Sequence, residues 1–139
     1  MKTLFFLVFV LQVMVCTAEQ VIWKGDVVAT GERTDTIPLT LGKKYKIVVS
    51  GTINLGKWQQ QGKPLANDAC YEYHDELRPT YTPAFQSSNR ISVCDGHYHA
   101  DHRYVSKWFV ATQEGIYFWI KDEYYPDNTG ALQVEFYKE

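Results

Sequence analysis

Ile116-Tyr117-Phe118-Trp119-Ile120, then Asp122-Glu123-Tyr124-Tyr125-Pro126-Asp127-Asn128-Thr129-Gly130, then Ala131-Leu132-Gln133-Val134-Glu135-Phe136-Tyr137 read in order as strand, loop and strand. The first run is apolar and aromatic. The last alternates apolar with polar, as a half-buried strand does. Between them, Asp122, Asp127 and Asn128 are short oxygen-bearing side chains, with Tyr, Pro and Gly shaping the backbone. Hard cations such as calcium take several oxygen ligands at once, from carboxylates, amide oxygens and main-chain carbonyls. The same residue types are ordinary turn formers, so the loop alone supports a metal site and a plain turn.

Outward from this hairpin the chain reads as all-β. Residues 21–29, 36–41, 45–50, 104–111, 116–121 and 132–138 are rich in β-branched and aromatic residues and are bounded by turn signals. Residues 81–85 and 90–94 are further candidates, the first broken by Pro83 and therefore placed at a sheet edge. No window holds helical periodicity over three turns. Short strands separated by turns predict a two-sheet β-sandwich in a single domain. No internal repeat, low-complexity tract or linker is evident.

Met1-Lys2-Thr3 is a short basic start, Leu4 to Val15 is almost wholly apolar, and Cys16-Thr17-Ala18 offers small residues for cleavage. Residues 1–18 are thus expected to be a secretory signal peptide, leaving a domain over 19–139 that is secreted or periplasmic. A lipid-modified Cys16 is disfavoured by Met14 and Val15, where small residues are wanted. No later segment is long and apolar enough to span a bilayer. The full chain carries a net charge of −2, and loss of Lys2 makes it one unit more negative. With no basic patch, nucleic acid is not an expected partner. Beyond Cys16 there remain Cys70 and Cys94. In an oxidising compartment these form a disulfide, and in a reducing one two buried thiols.

His97-Tyr98-His99-Ala100-Asp101-His102 matches the H-x-H-x-D-H pattern with which metallo-β-lactamase-type hydrolases hold zinc. Imidazoles and a carboxylate are good zinc ligands, but that chemistry needs further ligands downstream, and no histidine follows His102. Asp95-Gly96 marks a turn, so the cluster is read as an exposed hairpin loop, and His74 as solvated. There is no local nucleophile signature and no glycine-rich phosphate loop. Asp75-Glu76 is an adjacent, exposed pair. An enzyme is therefore not expected. Seven Phe, ten Tyr and four Trp are many for a small core, and Trp58, Tyr71, Tyr73, Tyr124 and Tyr125 fall in loops. Rings beside hydrogen-bonding groups commonly hold sugar faces or partner surfaces. Trp23, Trp108 and Trp119 lie inside strands and are expected to line the interior.

Taken together, the residues from Glu19 onward resemble the PA-I type galactophilic lectins, small bacterial calcium-dependent lectins with a jelly-roll-like β-sandwich. The resemblance runs from Trp23-Lys24-Gly25-Asp26-Val27-Val28-Ala29 through Gly42 to Gly51, then Gly56, Trp58 and Gln61-Gly62. It closes on Asp122 and Asp127-Asn128-Thr129-Gly130. Residues 63–103 do not align. The resemblance implies calcium as cofactor, bound by Asp122, Asp127 and Asn128 side chains. Main-chain carbonyls would come from Leu55 and from the Tyr124-Tyr125 turn, at Tyr125. The loop after Asp122 is shorter than the family's by about two residues. Asp127 stands where the family has asparagine, which adds charge without removing a ligand.

In that family calcium coordinates two sugar hydroxyls directly, and a second loop with His-Pro and a glutamine completes a galactose pocket. Here the stretch is Lys63-Pro64-Leu65-Ala66-Asn67-Asp68-Ala69, without histidine. Pro64, Asn67 and Asp68 are the substitutes, joining Asp122, Tyr124, Asp127 and Asn128 as sugar-binding residues. The resemblance implies glycans or glycoconjugates as partners, leaves the preferred sugar open, and leaves room for a homo-oligomer. The competing reading is a domain of the same fold that has lost sugar binding and meets a protein through its tyrosine-rich insert.

Overall fold

The computed structural model describes residues 18–56 and 66–139. The expected signal peptide, Trp58, Gln61-Gly62 and the Lys63-Pro64-Leu65 half of the second loop lie outside them.

All regular structure among the described residues is β, in thirteen strands. The largest sheet contains β1 (Gln20–Val28), β3 (Lys44–Ser50), β9 (Arg103–Val105), β10 (Phe109–Val110) and β13 (Ala131–Lys138). Opposite it lie smaller antiparallel pieces. β2 (Ile37–Pro38) pairs with β11 (Gly115–Ile116), and β8 (Phe85–Ser87) with β12 (Phe118–Ile120). β4 (Ile53–Asn54), β5 (Ala66–Asn67), β6 (Tyr71–Tyr73) and β7 (Thr80–Tyr81) form a meander.

β13 is the middle of the large sheet. It pairs antiparallel with β1 on one side and β3 on the other, and a bulge between Val21 and Trp23 absorbs one residue of β1. Its alternation does the sorting: Leu132, Val134 and Phe136 are fully buried while Gln133 faces out. Facing them across the interior are Phe118, Ile120 and Phe85. Phe118 meets Phe136 edge-on at 6.0 Å between centroids, and Phe85 packs on Phe118 at 5.4 Å. Two sheet layers share one apolar interior, so the expected β-sandwich is the fold.

Several expected strands take other forms. Residues 104–111 break at Ser106, whose amide donates to the Ile47 carbonyl while its hydroxyl accepts the Ile47 N–H, both at 2.9 Å. Residues 116–121 change partners at Tyr117: Ile116 pairs with β2 and Phe118 with β8, and the Ser88 hydroxyl accepts the Tyr117 N–H at 3.1 Å. Residues 90–94 form no ladder. The Ser87 hydroxyl binds both the N–H and the carbonyl of Ile91, at 2.8 and 3.0 Å, and turns the chain away. Pro83 separates β7 from β8 within 81–85, leaving β7 at an edge.

Trp23 lines the core as expected, and the other two strand tryptophans do not. Trp23 packs on Phe118 at the core margin (5.9 Å). Trp119 alternates with inward Phe118 and Ile120 and therefore stands on the outer face, partly exposed, with the Arg33 guanidinium 5.8 Å from its ring. Trp108 is likewise external, under the Lys46 ammonium at 4.6 Å.

Cys70 and Cys94 are joined as a disulfide, with Cα atoms 5.6 Å apart across 24 residues of sequence. Closing that loop stabilises the fold by roughly 3 kcal/mol in the chain-entropy account. Among the described residues no helix is long and apolar enough to cross a membrane.

Because Phe136 is fully buried at the contact between layers, Phe136→Ala should lower stability by about 3–5 kcal/mol. In urea denaturation this appears as an earlier midpoint at an unchanged slope, and a loss below about 1 kcal/mol would contradict this packing.

Candidate functional site

The loop from Lys121 to Gly130 is held at both ends by the sandwich. At its start the Tyr125 ring folds back onto Gly31, and its hydroxyl accepts the Asp122 N–H (3.1 Å) and donates to the Ile120 carbonyl (3.3 Å). At its end Thr129 and Asn54 exchange backbone hydrogen bonds at 2.9 and 3.0 Å, and the Ala29 N–H donates to the Gly130 carbonyl at 2.9 Å. This bridge sets the segment Asn54-Leu55-Gly56 beside the loop. The Asn54 side chain accepts the Gly56 N–H at 2.8 Å. Gly56 has a φ of 84°, and any Cβ there would strike the Asp127 carboxylate. Close approach and left-handed backbone both require glycine.

The oxygens of this loop are unusually placed. Asn128 is buried and its Nδ2 donates to the Ala29 carbonyl at 2.9 Å. That bond fixes the amide's orientation and leaves Oδ1 buried with no hydrogen-bond partner. Asp122 uses Oδ1 to accept the Glu123 N–H at 2.7 Å, while its Oδ2 is buried without a partner. Asn67, fully buried on β5, has both amide atoms unpaired. Buried polar atoms without partners cost about 1–3 kcal/mol each, and native folds keep few of them. Two of these residues, Asn67 and Asp122, line one opening, and Asn128 belongs to the same loop as Asp122. A cleft of about 420 Å³ is lined by Leu55, Asn67, Asp122, Pro83, Lys121 and Glu123 among others.

The structure therefore brings together Leu55, Asn67 and Asp122 at the cleft, with Asp127 against Gly56 and Asn128 beneath the same loop. Tyr124 points outward and is 63% exposed. The Tyr125 carbonyl accepts the Asn128 N–H at 3.0 Å, which leaves one lone pair. Pro64 lies outside the described residues. Asp68 is not at the cleft opening. It is fully buried, and both its oxygens are taken: Oδ1 accepts the N–H groups of Cys70 and Tyr71 at 2.8 and 2.7 Å, and Oδ2 faces the Tyr104 hydroxyl at 2.9 Å and His102 Nδ1 at 3.1 Å.

Asp68 is instead the centre of the middle segment, which sequence reasoning took for loops. Tyr71, Tyr73, Tyr98 and Tyr104 pack edge-on or stacked around it, and the His102 ring stacks on Tyr73 at 5.4 Å. These rings are packed and not a displayed tyrosine surface, and Tyr71 and Tyr104 belong to the common core. The expected exposed histidine loop is exposed at His97, whereas His99 reaches Asp95 (2.9 Å) and His102 is partly buried on Asp68. The three imidazoles have different partners and do not converge. The one hint of this in the sequence was the crowding of Tyr and His around the cysteine pair.

No known protein family and no curated protein matches this sequence. A solved structure does. The chain is similar to "EclA N-terminal domain; PllA-like lectin", with 23% identity, a TM-score of 0.56, and coverage of 86% of this chain and 98% of that one. The likeness lies in the fold, an all-β sandwich.

Asp68→Ala removes the acceptor of four buried hydrogen bonds and should cost about 3 kcal/mol or more, while exposed His97→Ala should stay within about 0.5 kcal/mol. Chemical denaturation of the two variants compares them, and equal losses would contradict the central place of Asp68. Burial, and secondarily the neighbouring Tyr98, Asp68 and Glu76, push the Tyr73 hydroxyl up to about 12, and burial raises Tyr104 as well. A proton held more tightly in the folded chain contributes stability that is whole below the unfolded phenol pKa of about 10 and fades as pH rises past it. The thermal midpoint should therefore be steady up to about pH 9.5 and fall between about 10 and 12. Tyr73→Phe should remove part of that fall.

Proposed function

We propose that this protein is a calcium-dependent carbohydrate-binding protein, exported from the cell, and not an enzyme. The observation that carries the reading is the pair of buried, unpartnered oxygens, Asp122 Oδ2 and Asn128 Oδ1, on one strand-to-strand loop. An oxygen that accepts no hydrogen bond and is withdrawn from water suits a hard cation. The donor chemistry fits calcium: carboxylates of Asp122 and Asp127, the amide oxygen of Asn128, and carbonyls of Leu55 and Tyr125. Asp127, held against Gly56, adds the second negative charge. The fold's likeness to a protein titled a lectin supports the same conclusion.

In this reading the ion, when bound, offers coordination positions to two neighbouring sugar hydroxyls. The chain's own residues do the rest. Asn67 presents an unpaired donor and an unpaired acceptor at the cleft, suited to a hydroxyl that both gives and takes a hydrogen bond. Tyr124 stands exposed at the rim as a ring for an apolar sugar face. Asp122, Asp127 and Asn128 hold the cation and reach the same hydroxyls. Asp68 has no place in this set, since its oxygens are committed elsewhere. The partner is a glycan or glycoconjugate.

Calcium at a hundredfold excess over its Kd should stabilise the folded chain by about 2.7 kcal/mol through mass action. Asp122→Ala should abolish that shift and, with it, calcium-dependent retention on a sugar matrix, while remaining folded. Scanning calorimetry of both proteins with calcium and with chelator measures the first effect, and affinity chromatography the second. A wild-type midpoint indifferent to calcium would overturn the proposal and favour a protein-interaction module on the same fold.

A further inference from the structure

We propose that the sugar site continues past the cation loop along the outer face of β12, where Trp119 and Tyr81 form a second subsite for the next sugar ring of an oligosaccharide. This deepens the carbohydrate-binding reading and rests on it.

The continuity follows from strand geometry. Phe118 and Ile120 point into the core, so Trp119 and Lys121, two residues apart, emerge on the same outer face. Lys121 lines the cleft at Asp122. Trp119 lines a neighbouring cleft of about 390 Å³ with Tyr81, Pro83, Gln86, Arg90 and Ser92. Pro83 belongs to both clefts and forms the ridge between them. Clefts of this size lie in the range of small-ligand sites, roughly 300–1,000 Å³.

The lining has the chemistry a pyranose needs. Trp119 and Tyr81, the latter 54% exposed, offer aromatic surface to the C–H side of a ring. Gln86, directly across the ladder from Trp119, is anchored by donating from Nε2 to the Pro83 carbonyl at 3.2 Å. Its amide oxygen, with the Arg90 guanidinium and the Ser92 hydroxyl, can serve the ring's hydroxyls. The indole is held by Arg33, whose guanidinium lies over Tyr117 and Trp119 at 5.0 and 5.8 Å. A ring stiffened in this way loses little freedom when a ligand settles on it. The alternation of β12 leaves Trp119 on the outside of the sandwich while Phe118 and Ile120 enter the core.

The test uses a printed array of paired glycans, each pair a single sugar and a trisaccharide ending in that same sugar, probed in calcium and in chelator. For at least one pair, wild type should bind the trisaccharide about tenfold more tightly than the single sugar. Trp119→Ala should erase that gain while keeping calcium-dependent binding of the single sugar. Tyr81→Ala, at an exposed position, should diminish the gain in the same direction and serves if the tryptophan variant does not fold. Calcium-dependent binding with no gain for any trisaccharide, or a gain that both variants retain, overturns the second subsite and leaves the proposed function standing. Absence of calcium-dependent binding to every printed glycan overturns both.

Discussion

The pairing of β13 with β1 on one side and β3 on the other is the constraint on which everything else rests. It joins the end of the described chain to two of its earliest strands and aims Leu132, Val134 and Phe136 at the interior. Because the side-chain period of a strand is two, a slip of one residue would turn that entire set to solvent. Register is therefore fixed by burial, and the loop immediately before β13 inherits a fixed position. The Asn54–Thr129 bridge then fastens the same loop to β4. The candidate site is placed by the sandwich, with no separate scaffold.

That placement explains why a polar loop can carry unpaired oxygens at all. Asn128 is clamped through its nitrogen to the Ala29 carbonyl, so its oxygen has no freedom to seek another donor. The Asp122 carboxylate is pinned through one oxygen to the next residue's amide, which directs the other inward. A flexible loop would relax and pair these atoms or expose them to water. The sandwich interior supplies the stability that such an arrangement draws on, as sites with unfavourable local chemistry generally require.

The outer frame was legible in the sequence because its signals are local. Alternation in 132–138, the β-branched runs at 21–29 and 45–50, and the turn residues between them gave both the fold class and the hairpin that carries the loop. Asp122, Asp127 and Asn128 could be singled out by residue type. The middle of the chain was not readable in this way. Asp68 looked like a rim residue, yet its partners Tyr104 and His102 lie 36 and 34 residues away in sequence, and no local pattern announces such contacts. The splits at Ser106 and Tyr117 had the same origin, since each depends on a serine hydroxyl that replaces a backbone partner. Trp119 is expected in the interior because it lies inside a strand, whereas its place between two inward-facing neighbours puts it outside.

The disulfide and the tyrosines near Asp68 tie the middle segment into the common interior, to which Cys70, Tyr71 and Tyr104 belong. Asn67 sits one residue from that carboxylate, and Pro83 follows Thr82, whose N–H is bound to the Cys70 carbonyl at 2.8 Å. One wall of the cleft is thus crosslinked by the disulfide, and the facing loop is fastened by the Asn54–Thr129 bridge and the Asn128–Ala29 bond. With both walls held before a ligand arrives, little ordering entropy is lost on capture.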